Sequence, residues 1–419
     1  MRRIATQVSL LMWGAVLALL LAGCAGSAPA VNGSTPDGGA PDAAAPEVVD
    51  HLELAYATQF DVARLSDGTY LLTIGDADRY LLVPDGQGAS GKAAAGTAAD
   101  AMAGIDATVI SIPVDDVYLA ASSTMDFFRQ LDALGSVRMT STKAQDWSLG
   151  EVVAALEDGS MRYVGKYSAP DYELVLTEGA QVAIESTMIY HAPEVAERLR
   201  DLRIPVLVER SSYETSPLGR LEWIKLYGLL TGRLDEAERF FENQVAAVEA
   251  TTDRDSADRD PTSGNASDAT PRVAFFSLGA NGHVVVRKPG DYVSQMISLA
   301  GGHYFLEGTE TSDEEHNALS TMNMEIESFF AAAHDCDFVI YNSAIDDELQ
   351  SIDDLVAKDA RLADLAAVRE GRVWCTGKDL FQQPTSLAQM VVEMSQIFDG
   401  TARKGSLEHL YQVDWEAKK

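Results

Sequence analysis

The stretch NMEIESFFAAAHDCDFVIYNS, residues 323–343, decides the architecture because its grammar is written twice. It reads as a helix with Met324, Phe329 and Phe330 on its apolar side, then an acidic joint at Asp335 and Asp337. An apolar run from Phe338 to Tyr341 follows and opens onto Asn342 and Ser343. Residues 170–186, PDYELVLTEGAQVAIES, repeat the pattern: helix-like Tyr172 to Leu176, a turn at Glu178 and Gly179, and a strand Gln181 to Ile184 that ends on Glu185 and Ser186. A buried strand that closes on small polar residues is the repeating piece of an open α/β sheet, which binds ligands beyond the carboxyl ends of its strands.

Working outward, strand-like and helix-like segments alternate on both sides. TVISI and VYLAA precede TMDFFRQLDALG, VRMTS precedes LGEVVAALEDG, and PVLVE precedes PLGRLEWIKLYGLL. After residue 271 the alternation resumes with RVAFFSLG, DYVSQMISLAGG, RVWCTG and SLAQMVVEMSQIFDG. Between the halves, Leu234, Ala237, Phe241, Val245 and Val248 recur at spacings of three and four, the apolar stripe of one helix. The expected fold class is therefore α/β: two Rossmann-like lobes with mainly parallel sheets, joined by a single connecting helix. The expected division is an N-terminal lobe over 51–231, the connecting helix over 232–252, an exposed loop over 253–271, a C-terminal lobe over 272–402 and a tail over 403–419. A hairpin around Asp67 and Gly68, residues 60–84, should flank the first lobe.

The start of the chain fixes the compartment. Arg2 and Arg3 precede an apolar stretch from Leu10 to Leu21 and then LAGC, residues 21–24, a signal peptide over 1–23 with small residues at its cleavage point. The motif resembles the lipobox of bacterial lipoproteins, which implies lipidation of Cys24 and a location on the extracytoplasmic face of the cell membrane. Residues 24–50, rich in Ala, Pro, Gly and Asp, have no large apolar side chains and read as a flexible tether. Without residues 1–23 the chain keeps 64 acidic and 30 basic residues, a formal charge of −34 that makes nucleic acid and anionic lipid poor partners. Cys336 and Cys375 belong to opposite ends of their strands, so they are expected as two half-buried thiols and not a disulfide.

Enzyme signatures fail on inspection. GQGASGKA, Gly86 to Ala93, fits the spacing of a phosphate loop but has Ala93 where Ser or Thr is required, inside a low-complexity run. There is no G-x-S-x-G and no C-x-x-C. Apart from His51 and His409, the histidines are His191, His283, His303, His316 and His334, and no pair has H-x-x-x-H spacing. No catalytic residue, no resident cofactor and no metal site is assigned.

SAPDYELVLTEGAQVAIES, the linking helix, RVAFFSLGANG, PGDYVSQMISLAGGHYF and FVIYNSAIDD together resemble the substrate-binding lipoproteins of ABC importers, in the class that captures ferric siderophores, haem and vitamin B12. The resemblance covers roughly residues 55–400. It implies a monomer that carries an iron chelate, haem or corrinoid between its lobes to ABC permease subunits. Ligand-binding positions carried over from it are Ser123, Trp147, Met188, Tyr190, His191, Arg210 and Tyr213 in the first lobe. The second lobe supplies Asn281, Arg287, Lys288, Asn342, Lys378, Phe381 and Gln382. Four cations at one cleft, Arg210, Arg287, Lys288 and Lys378, would favour an anionic ligand. The resemblance also implies permease docking through Glu173 and through Glu325 or Glu327. Two rivals stay open: a bare zinc or manganese carrier using His191 with a second-lobe histidine or acid, and an extracellular enzyme on the same scaffold.

Overall fold

The computed structural model describes residues 46–76, 78–85, 107–258, 270–279, 281–309, 320–346 and 348–416. The lipidation position Cys24, the signal peptide, the Gly86–Ala93 motif and His316 lie outside them. β1 (Val48–His51) begins in the stretch expected as tether, and pairs antiparallel with β2 (Phe60–Leu65). β3 (Tyr70–Ile74) follows through the expected turn. There the Asp67 carboxylate accepts from the N–H and hydroxyl of Thr69 at 3.0 and 2.7 Å, and Gly68 takes φ +87°, a region closed to most side chains. β4 (Asp78–Pro84) and β5 (Thr108–Ile112) complete a five-stranded sheet whose last pair is parallel.

The first lobe is built on β6 (Val117–Leu119), β7 (Val137–Thr140), β8 (Arg162–Tyr163), β11 (Val182–Ser186) and β12 (Val206–Glu209), in the order β12-β11-β6-β7-β8 and parallel throughout. β9 (Gly165–Lys166) and β10 (Ala169–Pro170) form a small separate hairpin. The runs Val117–Leu119 and Val206–Val208 are buried on both faces, as a parallel sheet covered on both sides requires. Edge strand β12 is guarded by the flanking sheet: the Val208 N–H donates to the Tyr80 hydroxyl at 3.2 Å.

The second lobe departs from the mainly parallel expectation. β13 (Arg272–Leu278), β15 (His303–Tyr304), β17 (Phe338–Tyr341) and β18 (Val373–Thr376) are parallel, but β14 (Val284–Arg287), β16 (Thr321–Met324) and β19 (Leu410–Val413) are antiparallel additions. Met324, expected on a helix, closes β16, and the helix of the opening stretch runs Ile326–Ala333. β19 draws part of the expected tail into the sheet.

The connecting helix runs Leu234–Asp258 and buries Ala237, Phe241 and Val248. It packs on Ile224–Thr231 and, from the second lobe, on Leu387–Phe398. Gly228 permits that approach, since a Cβ there would come within 2.6 Å of the Ala237 Cβ. The main core is continuous through both lobes, while a smaller one around Tyr118, Val175, Leu199 and Val206 fills the outer face of the first. Between β1 and β2 the backbone is held by two acids that follow β12, Glu214 and Glu222. Glu222 accepts the N–H groups of Ala55, Tyr56 and Ala57, and Glu214 those of Thr58 and Gln59, all at 2.7–3.1 Å. The Lys225 ammonium completes the site, 2.8 Å from Glu222. Cys336 and Cys375 are free, as expected, but fully and not half buried.

Candidate ligand-binding site

The strands of both lobes end in short loops that supply the site. In the first lobe these follow β6 (Ser122–Thr124), β7, β11 (Thr187–His191) and β12 (Ser211–Tyr213). In the second they are the Gly279–His283 turn, the segment from Asn342 after β17 and the segment from Gly377 after β18. The last one docks on the first lobe. Gln382 accepts from the Ser148 N–H at 2.7 Å and donates to the Asp146 carbonyl at 2.8 Å. The N–H and hydroxyl of Thr385 donate to buried Asp126 at 3.0 and 2.5 Å. Gln382, expected to bind ligand, is thus already engaged as a bridge between lobes.

Large apolar side chains are left half-exposed at these strand ends. Met188 (49%) and Tyr190 (52%) follow β11, and Ile345 (54%) follows β17 at the corresponding place in the second lobe. Single exposed apolar residues are ordinary; these three share only their position after a strand of a lobe sheet. Arg210, after β12, lies with its Cζ 4.8 Å from the Tyr213 ring centroid. Its Nε is buried without a hydrogen-bond partner. His191 is exposed after β11, and Ser123 is half-buried after β6.

Other expected positions are spent on structure. Trp147 is buried and donates to the Thr142 carbonyl at 3.2 Å. Asn342 is buried, its side chain accepting from the Ala344 N–H at 3.3 Å. Arg287 is the clearest departure from four cations facing a cleft: 4% exposed, it donates to both oxygens of Asp291 at 2.7 and 2.6 Å and to Ser320 at 2.6 Å. The cause is strand direction. β14 runs antiparallel to β13, so it carries Arg287 and Lys288 back along the sheet, away from the Leu278 end. Asn281, in the turn joining these strands, and Lys378, after β18, remain exposed. Phe381 is half-buried, its ring 5.9 Å from Arg287.

Several polar groups at the strand ends were not foreseen. Tyr292 carries Arg220 of the first lobe and Arg287 of the second over its ring, at 4.6 and 5.0 Å, contacts worth about 0.5–2 kcal/mol each. Glu209, fully buried, accepts from the Ser211 N–H at 2.9 Å, and burial raises its carboxyl. Glu185, at the carboxyl end of β11, is buried with neither oxygen hydrogen-bonded, and loss of hydration pushes its carboxyl up to about 8. The sequence gives no signal for Glu185 and Glu209, since an acid ending a strand is ordinarily exposed.

The two helices of the repeated stretch, Tyr172–Thr177 and Ile326–Ala333, lead into β11 and β17, so their first turns lie at the carboxyl ends of those strands. Glu173 and Glu325 are exposed there, one on each lobe; Glu325 lies 3.3 Å from His283. Glu327 is ion-paired to Arg361 at 2.6 Å. His303 and His334 likewise face acids on their own lobe, Glu307 and Asp335. Among the described residues no group of three or more His, Cys, Asp or Glu side chains is placed to hold a metal ion.

This geometry has counterparts. A periplasmic haem-binding protein from Pseudomonas aeruginosa superposes with a TM-score of 0.55 at 18% identity, covering 73% of this chain and 99% of the other. The petrobactin-binding protein YclQ of Bacillus subtilis gives 0.52 at 13% identity, over 68% and 92%. The chain has the two-lobed fold of the periplasmic binding proteins of ABC transporters. In sequence it is 21% identical over 315 residues to an uncharacterised lipoprotein of Methanocaldococcus jannaschii, covering 72% of this chain and 69% of that one. No family model matches the chain. The binding-protein fold accounts for the connecting helix and for the paired strand-end loops.

Proposed function

We propose that this chain is a solute-binding lipoprotein of an ABC importer, tethered through Cys24 to the extracytoplasmic face of the membrane, with no catalytic role. It captures an iron chelate, haem or corrinoid between its lobes and delivers it to permease subunits. The observation that supports this best is the pair of half-exposed residues Met188 and Tyr190 after β11, with Arg210 close enough to act on the Tyr190 phenol and Ile345 exposed at the matching strand end of the second lobe. Apolar faces to cover a macrocycle or a chelate's organic shell, next to a donor for its acidic groups, are what such a cargo needs. Glu173 and Glu325, exposed on the same side of the two lobes, are the proposed permease contacts.

The test is native mass spectrometry with an absorption spectrum on protein lacking residues 1–24, purified untagged from its native host. A visible band together with a bound mass of several hundred daltons or more supports a chelate, haem or corrinoid. A colourless protein carrying one bare metal ion would replace this reading with a zinc or manganese carrier.

A further inference from the structure

The flanking sheet reaches the ligand side of the first lobe at one place. Gly75, the first residue after β3, has φ +58° and lies directly against Arg210: a Cβ built on it would stand 2.1 Å from Arg210 Nη1 and 3.2 Å from Cζ. The guanidinium is thereby held between the backbone at Gly75 and the ring of Tyr213. Three residues on, Asp78 opens β4 and faces Tyr190; its charge, after burial, keeps that phenol protonated. The corner is fixed to the lobe two residues before Arg210, by the Val208 N–H to Tyr80 hydroxyl bond at 3.2 Å. Arg129, Arg287 and Arg361 are each matched by an acid within 2.7 Å. Arg210 has no ion pair among the described residues, and its Nε is buried with no acceptor. A guanidinium immobilised and left unneutralised in so acidic a chain is a prepared seat for an anion.

We infer that Gly75 and Asp78, at the end of β3 and the start of β4, form a wall of the ligand site as positioning residues that set Arg210 and Tyr190 to receive an acidic group of the cargo. The inference rests on the chelate-binding reading and narrows it to an anionic chelate, recognised through a carboxylate or phenolate oxygen. Position 75 favours glycine because its φ is +58°, and a side chain there would push the end of the Arg210 guanidinium out of its place. Tyr213 supplies the opposite face, and Asp78 orients the Tyr190 hydroxyl.

The experiment titrates wild type, Gly75→Ala, Arg210→Gln and the double variant with three probes followed by absorption and tryptophan fluorescence: haemin, a ferric tris-catecholate, and cyanocobalamin as a chelate without a carboxylate. Circular dichroism confirms that each variant is folded. The expected result is binding of an anionic probe by wild type, a loss of about tenfold or more in each single variant, and no further loss on adding Gly75→Ala to Arg210→Gln. Should Gly75→Ala fail to fold, Asp78→Asn takes its place in the cycle, with a smaller loss expected that is again absent in the Arg210→Gln background. Tight binding of haemin or the catecholate with losses that simply add, or with none, overturns the inference and leaves the chelate-binding reading intact. Preference for cyanocobalamin, unaffected by Arg210→Gln, overturns it too. If wild type binds none of the three, the chelate-binding reading itself falls and takes the inference with it.

Discussion

Asp126, fully buried at the start of a first-lobe helix, accepts both the amide and the hydroxyl hydrogen of Thr385, which belongs to the second lobe 259 residues later. Arg129, 2.8 Å from the other oxygen through its Nε, supplies the counter-charge. The lobes are thus pinned by a buried carboxylate and not only by the connecting helix. Asp126→Ala strips three donors of their acceptor and leaves Arg129 with only Glu151, 4.0 Å away, so it should cost about 3 kcal/mol. Urea denaturation checks this; a cost below about 1 kcal/mol would show that the contact is not made in solution.

Glu185 reverses the usual pH behaviour of a carboxylate. Its folded-state value of about 8 lies above the unfolded value, so between about pH 5 and pH 8 the native protein holds a proton that the unfolded chain has released. Raising the pH through that window should therefore destabilise the protein, by up to about 1.4 kcal/mol per pH unit from this group, with the loss levelling off above pH 8. Tyr118, whose hydroxyl is also unpartnered, and Tyr172 are the neighbouring titratable groups, and neither ionises in that range. Glu185→Gln should flatten the stability-against-pH curve; an unchanged slope in the variant would refute the assignment.

Burial pushes both thiols up to about 12, so neither forms appreciable thiolate at neutral pH. A thiol reagent at pH 8 should leave Cys336 and Cys375 unmodified in the native protein and label both in denaturant. Rapid labelling of either one under native conditions would contradict the packing around β17 and β18.

Glu222 holds three backbone N–H groups and the Lys225 ammonium in a fully buried site. Glu222→Ala leaves those donors bare and should cost about 3 kcal/mol or more. Hydrogen exchange gives the sharper readout: the amides of Ala55, Tyr56 and Ala57 should lose protection in the variant. Protection that persists would mean other acceptors serve them.

Much of this architecture was legible because periodicity reports burial. The runs at Val182–Ser186 and Phe338–Tyr341 read correctly as strands of two lobes, as did the Ala237, Phe241 and Val248 stripe of the connecting helix. Strand direction was not legible. Val284–Arg287 has the same apolar signature parallel or antiparallel, and that one ambiguity misplaced Arg287 and Lys288. Position was legible where role was not: Met188, Tyr190 and Arg210 lie just after β11 and β12, as the pattern places them, and their part in binding is the proposal made above. Gly75 was invisible as a site residue, since its role depends on Arg210, brought to it only by the packing of one sheet on another.

The segment from Ala55 to Gln59 sets an order of events on the growing chain. Its acceptors, Glu214 and Glu222, lie 155–167 residues further on. At synthesis rates of about 5–20 residues per second, these amides wait on the order of ten to thirty seconds for the carboxylates that will bind them. The flanking sheet cannot lock onto the first lobe until that lobe is nearly complete, so the earliest part of the described chain is among the last to be fastened. A cell that makes this protein must keep its first strands from pairing with anything else during that interval.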